Sequence, residues 1–158
     1  MSALLVTTRP GLVGVGYEGR TAEEVVTLLA ALGVSRLIDV RLTPISRKPG
    51  LSKTALCQCL TDAGIVYEHR RELGNPKANR AGFAGPTVDR TAARDRYAAL
   101  LRQPDASRAL DAVAAAGRRE LVAVLCFEAD ESRCHRDVVL REVGRRLTGG
   151  AARTRLAR

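Results

Sequence analysis

The stretch LVAVLCFEADESRCHR, residues Leu121–Arg136, joins an apolar run to a dense polar cluster. The run from Leu121 to Cys126 is continuous, which is typical of a strand covered on both faces, as in a parallel sheet. Asp130 or Ser132 is expected to cap the helix that follows, because their side-chain oxygens accept hydrogen bonds from unpaired N–H groups in its first turn. A strand, a short loop and a helix N-terminus together predict an anion site here.

Strand and helix patterns alternate four times along the chain. The predicted strands are Leu12–Gly16 (with Ala3–Val6 as an earlier beginning), Arg36–Val40, Ile65–His69 and Leu121–Cys126. The predicted helices are one begun by Thr21 with Glu24 and ended by Gly33, one capped by Ser52 and ended by Gly64, and Val88–Leu101, Pro104–Ala116 and Arg133–Leu147. This alternation predicts an α/β fold, a three-layer sandwich with a mainly parallel sheet of about four to five strands.

Length and composition indicate one globular domain with no membrane partner. The chain has 158 residues, of which 46% are hydrophobic and 27% charged, so a single α/β domain over residues 1–147 can form its own core. Its apolar runs are far shorter than the roughly 20 residues that span a bilayer. Residues 148–158 are basic and contain Gly149 and Gly150, which are typical of a helix end, so we expect a disordered tail there.

Cysteine content and charge bear on the compartment and on the partners. The N-terminus lacks a secretory pattern and the 4 cysteines follow no framework spacing, which predicts reduced thiols in a cytoplasmic protein. A net charge of +9 favours a polyanionic partner. The arginine-rich composition is equally typical of a genomic coding bias, and part of the excess lies in the tail. A non-catalytic module that binds nucleic acid therefore stays open as an alternative.

The parallel sheet gathers the polar segments of the sequence at one edge. The C-terminal ends of its strands lie together there, and ligands bind in the crevice beside them. The segments concerned are Tyr17–Arg20, Arg41–Leu51, His69–Pro86 and Phe127–Arg136, which include both histidines. Arg70–Thr87 is the longest irregular stretch, and its length is typical of an ordinary polar excursion or of a lid over the crevice.

Cys126 and Glu128 are candidate catalytic residues at the end of the fourth strand. A thiol that precedes a helix N-terminus can have a lowered pKa and act as a nucleophile. Glu128 can act as a general acid or base. The alternative for Cys126 is a small buried hydrophobe that ends a core strand. Both possibilities stay open on the sequence alone.

Asp39, Arg41 and His69 extend the candidate site to the neighbouring strands. Asp39 and Arg41 either reach the crevice, one orienting the other, or form a structural ion pair. His69 suits acid–base work at neutral pH, or else a loop carbonyl satisfies it. The two histidines with Cys126 and Cys134 offer four possible zinc ligands, but neighbouring helical residues such as Cys134 and His135 point about 100° apart. The sequence therefore predicts no metal site and no cofactor.

Four motifs follow one another along the chain: GYEGRT, LIDVRLTPISRKPG, IVYEHRRELGNPKANR and VLCFEADESRCHRDVV. In this order they resemble the bacterial and archaeal family catalogued as domain of unknown function 488, over about Val13–Leu140. The GYEGR motif is similar to one subgroup, since many members have a GHS-like motif there. The resemblance implies an α/β domain with one shared site and names no reaction. The site residues that it implies are Tyr17, Asp39, Arg41, Arg47, His69, Leu73, Gly74, Cys126, Glu128, Cys134, His135 and Arg136.

A fainter likeness concerns LIDVR followed much later by a strand that ends in Cys, a loop, Arg and a helix. This order is similar to rhodaneses and cysteine phosphatases, but the loop between Cys126 and Arg133 is longer, is acidic and has no glycine. We expect an enzyme that acts on a small anionic or nucleotide-like ligand, with sulfur or phosphoryl transfer through Cys126 as an alternative. The expected catalytic residues are Cys126, His69, Glu128 and Asp39, and the expected ligand-binding residues are Tyr17, Arg41, Arg47, Gly74, Cys134, His135 and Arg136.

Overall fold

The computed structural model describes residues 9–148 and 154–156, the last three by their backbone alone. The strands are β1 (Gly11–Gly16), β2 (Arg36–Asp39), β3 (Val66–His69), β4 (Leu121–Cys126) and β5 (Thr154–Leu156). The helices are α1 (Ala22–Leu32), α2 (Lys53–Asp62), α3 (Lys77–Ala84), α4 (Thr87–Leu101), α5 (Pro104–Gly117) and α6 (His135–Leu147). Short turns of 3-10 helix lie at Arg71–Leu73 and Glu131–Arg133.

The strands form one sheet in the order β3-β2-β4-β1-β5, and every described pairing is parallel. The register aligns Gly16 with Cys126 and Asp39 with His69. The C-terminal ends of the strands therefore lie side by side at one edge. The predicted α/β fold with a mainly parallel sheet of four to five strands is confirmed.

The sheet separates two apolar cores. Alternate side chains of β1 point to opposite faces, so Leu12 joins one core and Val13 the other. Helices α1 and α2 cover the face of Val13, and α3 to α6 cover the face of Leu12. Fully buried leucines such as Leu29 and Leu110 each contribute roughly 1.5–3 kcal/mol by leaving water. Packing on both faces holds the sheet rigid, and with it the edge at which the strands end.

The helix caps agree with the sequence at α1 and differ from it at α6. Thr21 and Glu24 form the predicted capping box at the start of α1. Neither Asp130 nor Ser132 caps α6, so that prediction is wrong. Asp130 caps the preceding 3-10 turn by accepting from the Ser132 N–H at 3.0 Å. The N-cap of α6 is Cys134, whose sulfur accepts from the backbone N–H of Arg136 at 3.5 Å.

The prediction that Arg70–Thr87 is irregular is wrong, because the whole of α3 lies inside it. Asn79 and Phe83, one turn apart on α3, are buried. Gly82, which resembles a helix breaker in the sequence, allows α3 to approach α4. A Cβ at Gly82 would lie 2.7 Å from the Cβ of Ala93. Contact between the two helices therefore overrides the low helix propensity of the segment.

The two chain ends are described only in part. The earlier beginning of the first strand at Ala3–Val6 and most of the predicted tail at 148–158 lie outside the described residues. Within that tail, the backbone of Thr154–Leu156 pairs with β1, and disorder elsewhere in it stays a prediction. Among the described helices, none is both long enough and apolar enough to cross a membrane.

Candidate functional site

A cavity of about 260 Å³ opens at the C-terminal edge of the sheet. The ends of β1, β2 and β4 contribute to its wall, together with α3 and the first residue of α6. Its volume is slightly below the roughly 300–1,000 Å³ of typical ligand pockets. The cavity therefore suits a small ligand, or one part of a larger one.

Five of the residues predicted from the sequence line this cavity. They are Tyr17, Arg41, Cys126, Glu128 and His135. Each lies at or just beyond a strand end or, for His135, begins the helix after β4. The parallel direction of the strands is what brings these distant parts of the chain to one place.

Asp39 and Arg41 form a buried ion pair beside the cavity. Arg41 donates to Asp39 through Nε at 2.9 Å and through Nη2 at 2.7 Å. The Tyr67 hydroxyl donates to Asp39 Oδ2 at 2.6 Å. The other guanidinium nitrogen of Arg41, Nη1, donates to the Leu51 carbonyl at 2.7 Å and to the Tyr17 hydroxyl at 3.3 Å. We call Asp39, Arg41, Tyr17 and Tyr67 the closed cluster, because its polar groups already have partners.

The closed cluster shifts the pKa of two of its members. Burial lowers the pKa of Arg41, but the hydrogen bonds and charge of Asp39 outweigh that effect and raise it above its ordinary value. Burial first, and then Asp39, raise the pKa of Tyr67. Arg41 therefore keeps its charge and Tyr67 its proton at neutral pH. The oxygens of Asp39 are engaged, which favours the structural ion pair over a catalytic role for this residue.

Cys126, Cys134 and His135 form a second buried group, which we call the thiol cluster. The sulfur of Cys126 lies 3.7 Å from His135 Nδ1, and the sulfur of Cys134 lies 4.0 Å from the same nitrogen. His135 Nε2 lies 2.9 Å from the Val40 carbonyl oxygen. Burial raises the pKa of the Cys134 thiol. The spacing argument against convergence of Cys134 and His135 is wrong, since Cys134 is an extended cap residue with φ −127° and ψ 142° and does not lie on the helix surface.

Arg136 is buried and holds the loop after β4 in place through hydrogen bonds. It is 2% exposed and donates to the Glu128 carbonyl at 2.5 Å and to Glu131 Oε2 at 3.2 Å. Burial raises the pKa of Glu131, and Arg136 offsets part of this effect. Glycines in β1 make the close approach possible, because a Cβ at Gly16 would collide with the Glu128 carbonyl. The predicted ligand-binding residue Arg136 thus supports the loop and is not in the cavity wall.

Five other predicted residues lie outside the cavity lining, and one of them is Cys134 of the thiol cluster. His69 Nε2 lies 2.8 Å from the Arg41 carbonyl oxygen, which is the loop-carbonyl alternative. Arg47 is exposed on the loop after β2. Gly74 packs against that loop, where a Cβ would lie 2.6 Å from the Leu42 Cα. Asp39 does not line the cavity itself, but it is hydrogen-bonded to the guanidinium of Arg41, which does.

Some lining residues of the cavity are not among the predicted site residues, although they lie in the segments His69–Pro86 and Phe127–Arg136 that were expected at this edge. Among them are Asn75, Arg80, Phe83, Phe127 and Arg133. Arg80 donates to the Asn75 carbonyl at 3.3 Å, and within residues 9–148 it forms no ion pair. Arg133 donates to the Ala84 carbonyl at 2.8 Å, and its Nε lies 3.6 Å from Asp130 Oδ2. The one signal for α3 in the sequence is the spacing of Asn79 and Phe83.

Comparison with known proteins identifies a family. Its description reads Domain of unknown function DUF488, and it matches residues 21–143, which include the second, third and fourth motifs. The GYEGR motif ends at residue 20, outside the matched range, so the subgroup stays a prediction. No curated protein and no solved structure matches the chain.

Proposed function

The chain belongs to this family of unknown function, and from its cavity we propose that it is an enzyme acting on a small anionic ligand. One observation carries the proposal: Arg80 and Arg133 line the same cavity as the Cys126 thiol, the His135 imidazole and the Glu128 carboxylate. Groups that attract an anion and groups that transfer protons or attack a bond thus share one small space.

Arg80 and Arg133 in the cavity lining indicate which chemical group the ligand carries. A guanidinium binds carboxylate or phosphate oxygens through paired N–H donors. Arg80 and Arg133 are exposed, whereas the charge of Arg41 is balanced by Asp39 in the buried ion pair. Phe127 is 42% exposed and lies edge-on to Tyr17 at 5.4 Å between ring centroids. These contacts suit a ligand with an acidic group and a flat or apolar part.

Glu128 is the acid or base that this proposal requires. Its Oε2 is buried and, among the described residues, has no hydrogen-bond partner. Such a carboxyl can take a proton from a bound ligand or water, or return one. The 4 cysteines are all free thiols, which supports our proposal of a cytoplasmic setting, where thiols stay reduced.

A second candidate function is sulfur or phosphoryl transfer through Cys126. The contact of 3.7 Å between the Cys126 sulfur and His135 Nδ1 favours it. In that reaction His135 takes the thiol proton, and the thiolate attacks the sulfur or phosphorus atom of the ligand while its leaving group departs with the bonding electrons. Slow alkylation of Cys126 by iodoacetamide, no faster than that of free cysteine at neutral pH, contradicts this candidate.

Calorimetric titration with inorganic phosphate, sulfate, small dicarboxylates and mononucleotides tests the main proposal. We expect at least one of these anions to bind to the wild-type protein. In the double variant Arg80→Ala/Arg133→Ala the affinity for that anion falls by roughly 10- to 100-fold, because hydrogen bonds to charged groups are removed. The matched control is Arg108→Ala, which removes an exposed arginine of α5 paired with Asp105. Equal loss of affinity in the control, or no binding of any anion, contradicts the proposal.

The nucleic-acid alternative makes a different prediction for the same proteins. Affinity for duplex DNA would fall with salt at a log–log slope of about −0.9 per neutralised phosphate. It would respond to surface arginines such as Arg108 as much as to Arg80. If DNA binding behaves in this way and no small anion binds, the protein is a nucleic-acid-binding module and the proposed enzyme function is contradicted.

A further inference from the structure

The thiol cluster has the arrangement of a metal-ligand set. The sulfurs of Cys126 and Cys134 and Nδ1 of His135 all lie within 4.8 Å of one another, and the three residues are buried. They come from the end of β4, the N-cap of α6 and its first residue. Three donors from rigid elements therefore already converge without any rearrangement of the chain.

The orientation of the His135 ring makes Nδ1 a ligand atom. Nε2 lies 2.9 Å from the Val40 carbonyl oxygen, and because a carbonyl only accepts, Nε2 must carry the proton. The neutral ring then presents the lone pair of Nδ1 to the two sulfurs. A ring N–H bound to a carbonyl is the usual outer support of a metal-ligating histidine.

The distances agree with tetrahedral coordination. Zn–S bonds of about 2.3 Å and Zn–N bonds of about 2.0–2.1 Å place sulfur and nitrogen ligands about 3.5 Å apart. The observed distances from His135 Nδ1 are 3.7 Å to Cys126 and 4.0 Å to Cys134. Small side-chain rotations of the cysteines close that difference. Two thiolates also neutralise a divalent ion, which removes the cost of burying either charge alone.

We propose that Cys126, Cys134 and His135 bind a zinc ion with one coordination position open to the cavity. Cys126 and His135 line the cavity whereas Cys134 lies behind them, 1% exposed, so the fourth position faces the ligand space. Two cysteines, one histidine and an exchangeable fourth ligand form one of the catalytic zinc sets. The ion would supply a Lewis acid beside Glu128. Its role in a reaction rests on the proposed function, but the site itself does not.

Metal titration of the reduced, full-length protein tests this site. After chelator treatment we expect one Zn²⁺ per chain to bind again, and Co²⁺ to give thiolate charge-transfer bands and the intense visible bands of a tetrahedral ion. Cys134→Ser should weaken Zn²⁺ binding by more than the roughly 10- to 100-fold typical of losing an outer partner. The control Cys59→Ser, on α2, removes a half-buried thiol outside the cluster and should leave the affinity unchanged.

Several outcomes overturn the site. They are no Zn²⁺ binding by the wild-type protein, a Co²⁺ spectrum without thiolate bands, and equal loss of affinity in Cys59→Ser. The Co²⁺ spectrum needs no variant, so a Cys134→Ser protein that does not fold leaves the test intact. Arg80→Ala/Arg133→Ala should bind Zn²⁺ as the wild-type protein does. Failure of anion binding with intact Zn²⁺ binding therefore refutes the proposed function alone.

Discussion

The closed cluster and the thiol cluster lie at the same edge of the same sheet, yet they differ in how their polar groups are satisfied. Asp39 is fully buried and each of its carboxylate oxygens accepts at least two hydrogen bonds of 3.1 Å or less. The thiols of Cys126 and Cys134 are also buried, but the distances from their sulfurs to His135 Nδ1 are 3.7 and 4.0 Å. One cluster has complete partners inside the protein, and the other does not.

This difference separates a structural role from a functional one. A buried ion pair with complete partners costs several kcal/mol to break by removing one member, because the other charge is left alone. Weak contacts between thiols and an imidazole contribute little to stability. The second cluster, however, shares a wall with the cavity and retains donor atoms for a ligand. Substitutions in the two clusters and in the strand beside them test this contrast, from the largest expected effect to the smallest.

Asp39→Ala should destabilise the protein by about 3–5 kcal/mol, because it leaves the Arg41 guanidinium buried without its carboxylate. Urea denaturation followed by circular dichroism measures the free energy of unfolding. The control is Asp105→Ala on α5, whose ion pair with Arg108 is exposed and should have no measurable effect. A loss below about 1 kcal/mol in Asp39→Ala would show that the closed cluster does not hold the edge together.

Most of the fold could be predicted from the sequence because β1 and β4 are compact apolar runs, and β2 and β3 follow shortly after the helix-ending glycines Gly33 and Gly64. The predicted strand bounds differ from those of β1 to β4 by at most one residue at either end. The start of α1 could be predicted as well, from the capping box of Thr21 and Glu24. Helix α3 was missed because its formation depends on contact with α4 at Gly82. Local propensity carries no record of such a contact.

The candidate site could be predicted most directly where it follows on a strand. Cys126, Arg41 and Tyr17 were found in this way, since the direction of a parallel strand decides where its last side chains lie. Arg80 was missed because its position depends on the packing of α3. The residues of the thiol cluster were named as candidates, but the sequence did not predict that they converge, because it does not show that Cys134 is an extended cap residue.

Gly16→Ala should destabilise the protein by roughly 2–3 kcal/mol, since its Cβ would lie 2.7 Å from the Glu128 carbonyl carbon and closer still to its oxygen. The change displaces the loop that carries Glu128, so anion binding should weaken as well. Gly14→Ala is the matched variant in the same strand. The three atoms nearest to its Cβ belong to side-chain ends, the Glu131 carboxylate and the Leu140 Cδ1 at 2.9 Å, which can shift more easily than backbone, so we expect a smaller loss in denaturation experiments. The reverse order would mean that the loop moves freely over β1.

Tyr67→Phe should cost about 1–2 kcal/mol at neutral pH, because Asp39 Oδ2 loses a hydrogen bond of 2.6 Å but keeps Arg41. The variant also changes the pH dependence. An unfolded tyrosine loses its proton near pH 10, whereas the raised pKa of folded Tyr67 retains it. Wild-type stability therefore falls as the pH rises above about 10, and more steeply than that of Tyr67→Phe. Parallel curves from denaturation at pH 9 to 11 would contradict the burial of this hydroxyl.

Cys126→Ala should change the stability of the metal-free protein least, by about 1 kcal/mol or less. It removes one sulfur from the cavity wall, and the interaction of that sulfur with His135 is long and weak. Urea denaturation of the reduced protein in the presence of a chelator measures this change, and titration with Zn²⁺ or the anion that binds to the wild type measures function. A small decrease in stability together with loss of binding assigns the thiol cluster to function. A decrease as large as that of Asp39→Ala would instead place Cys126 in the folding core, as a small buried hydrophobe at the end of β4.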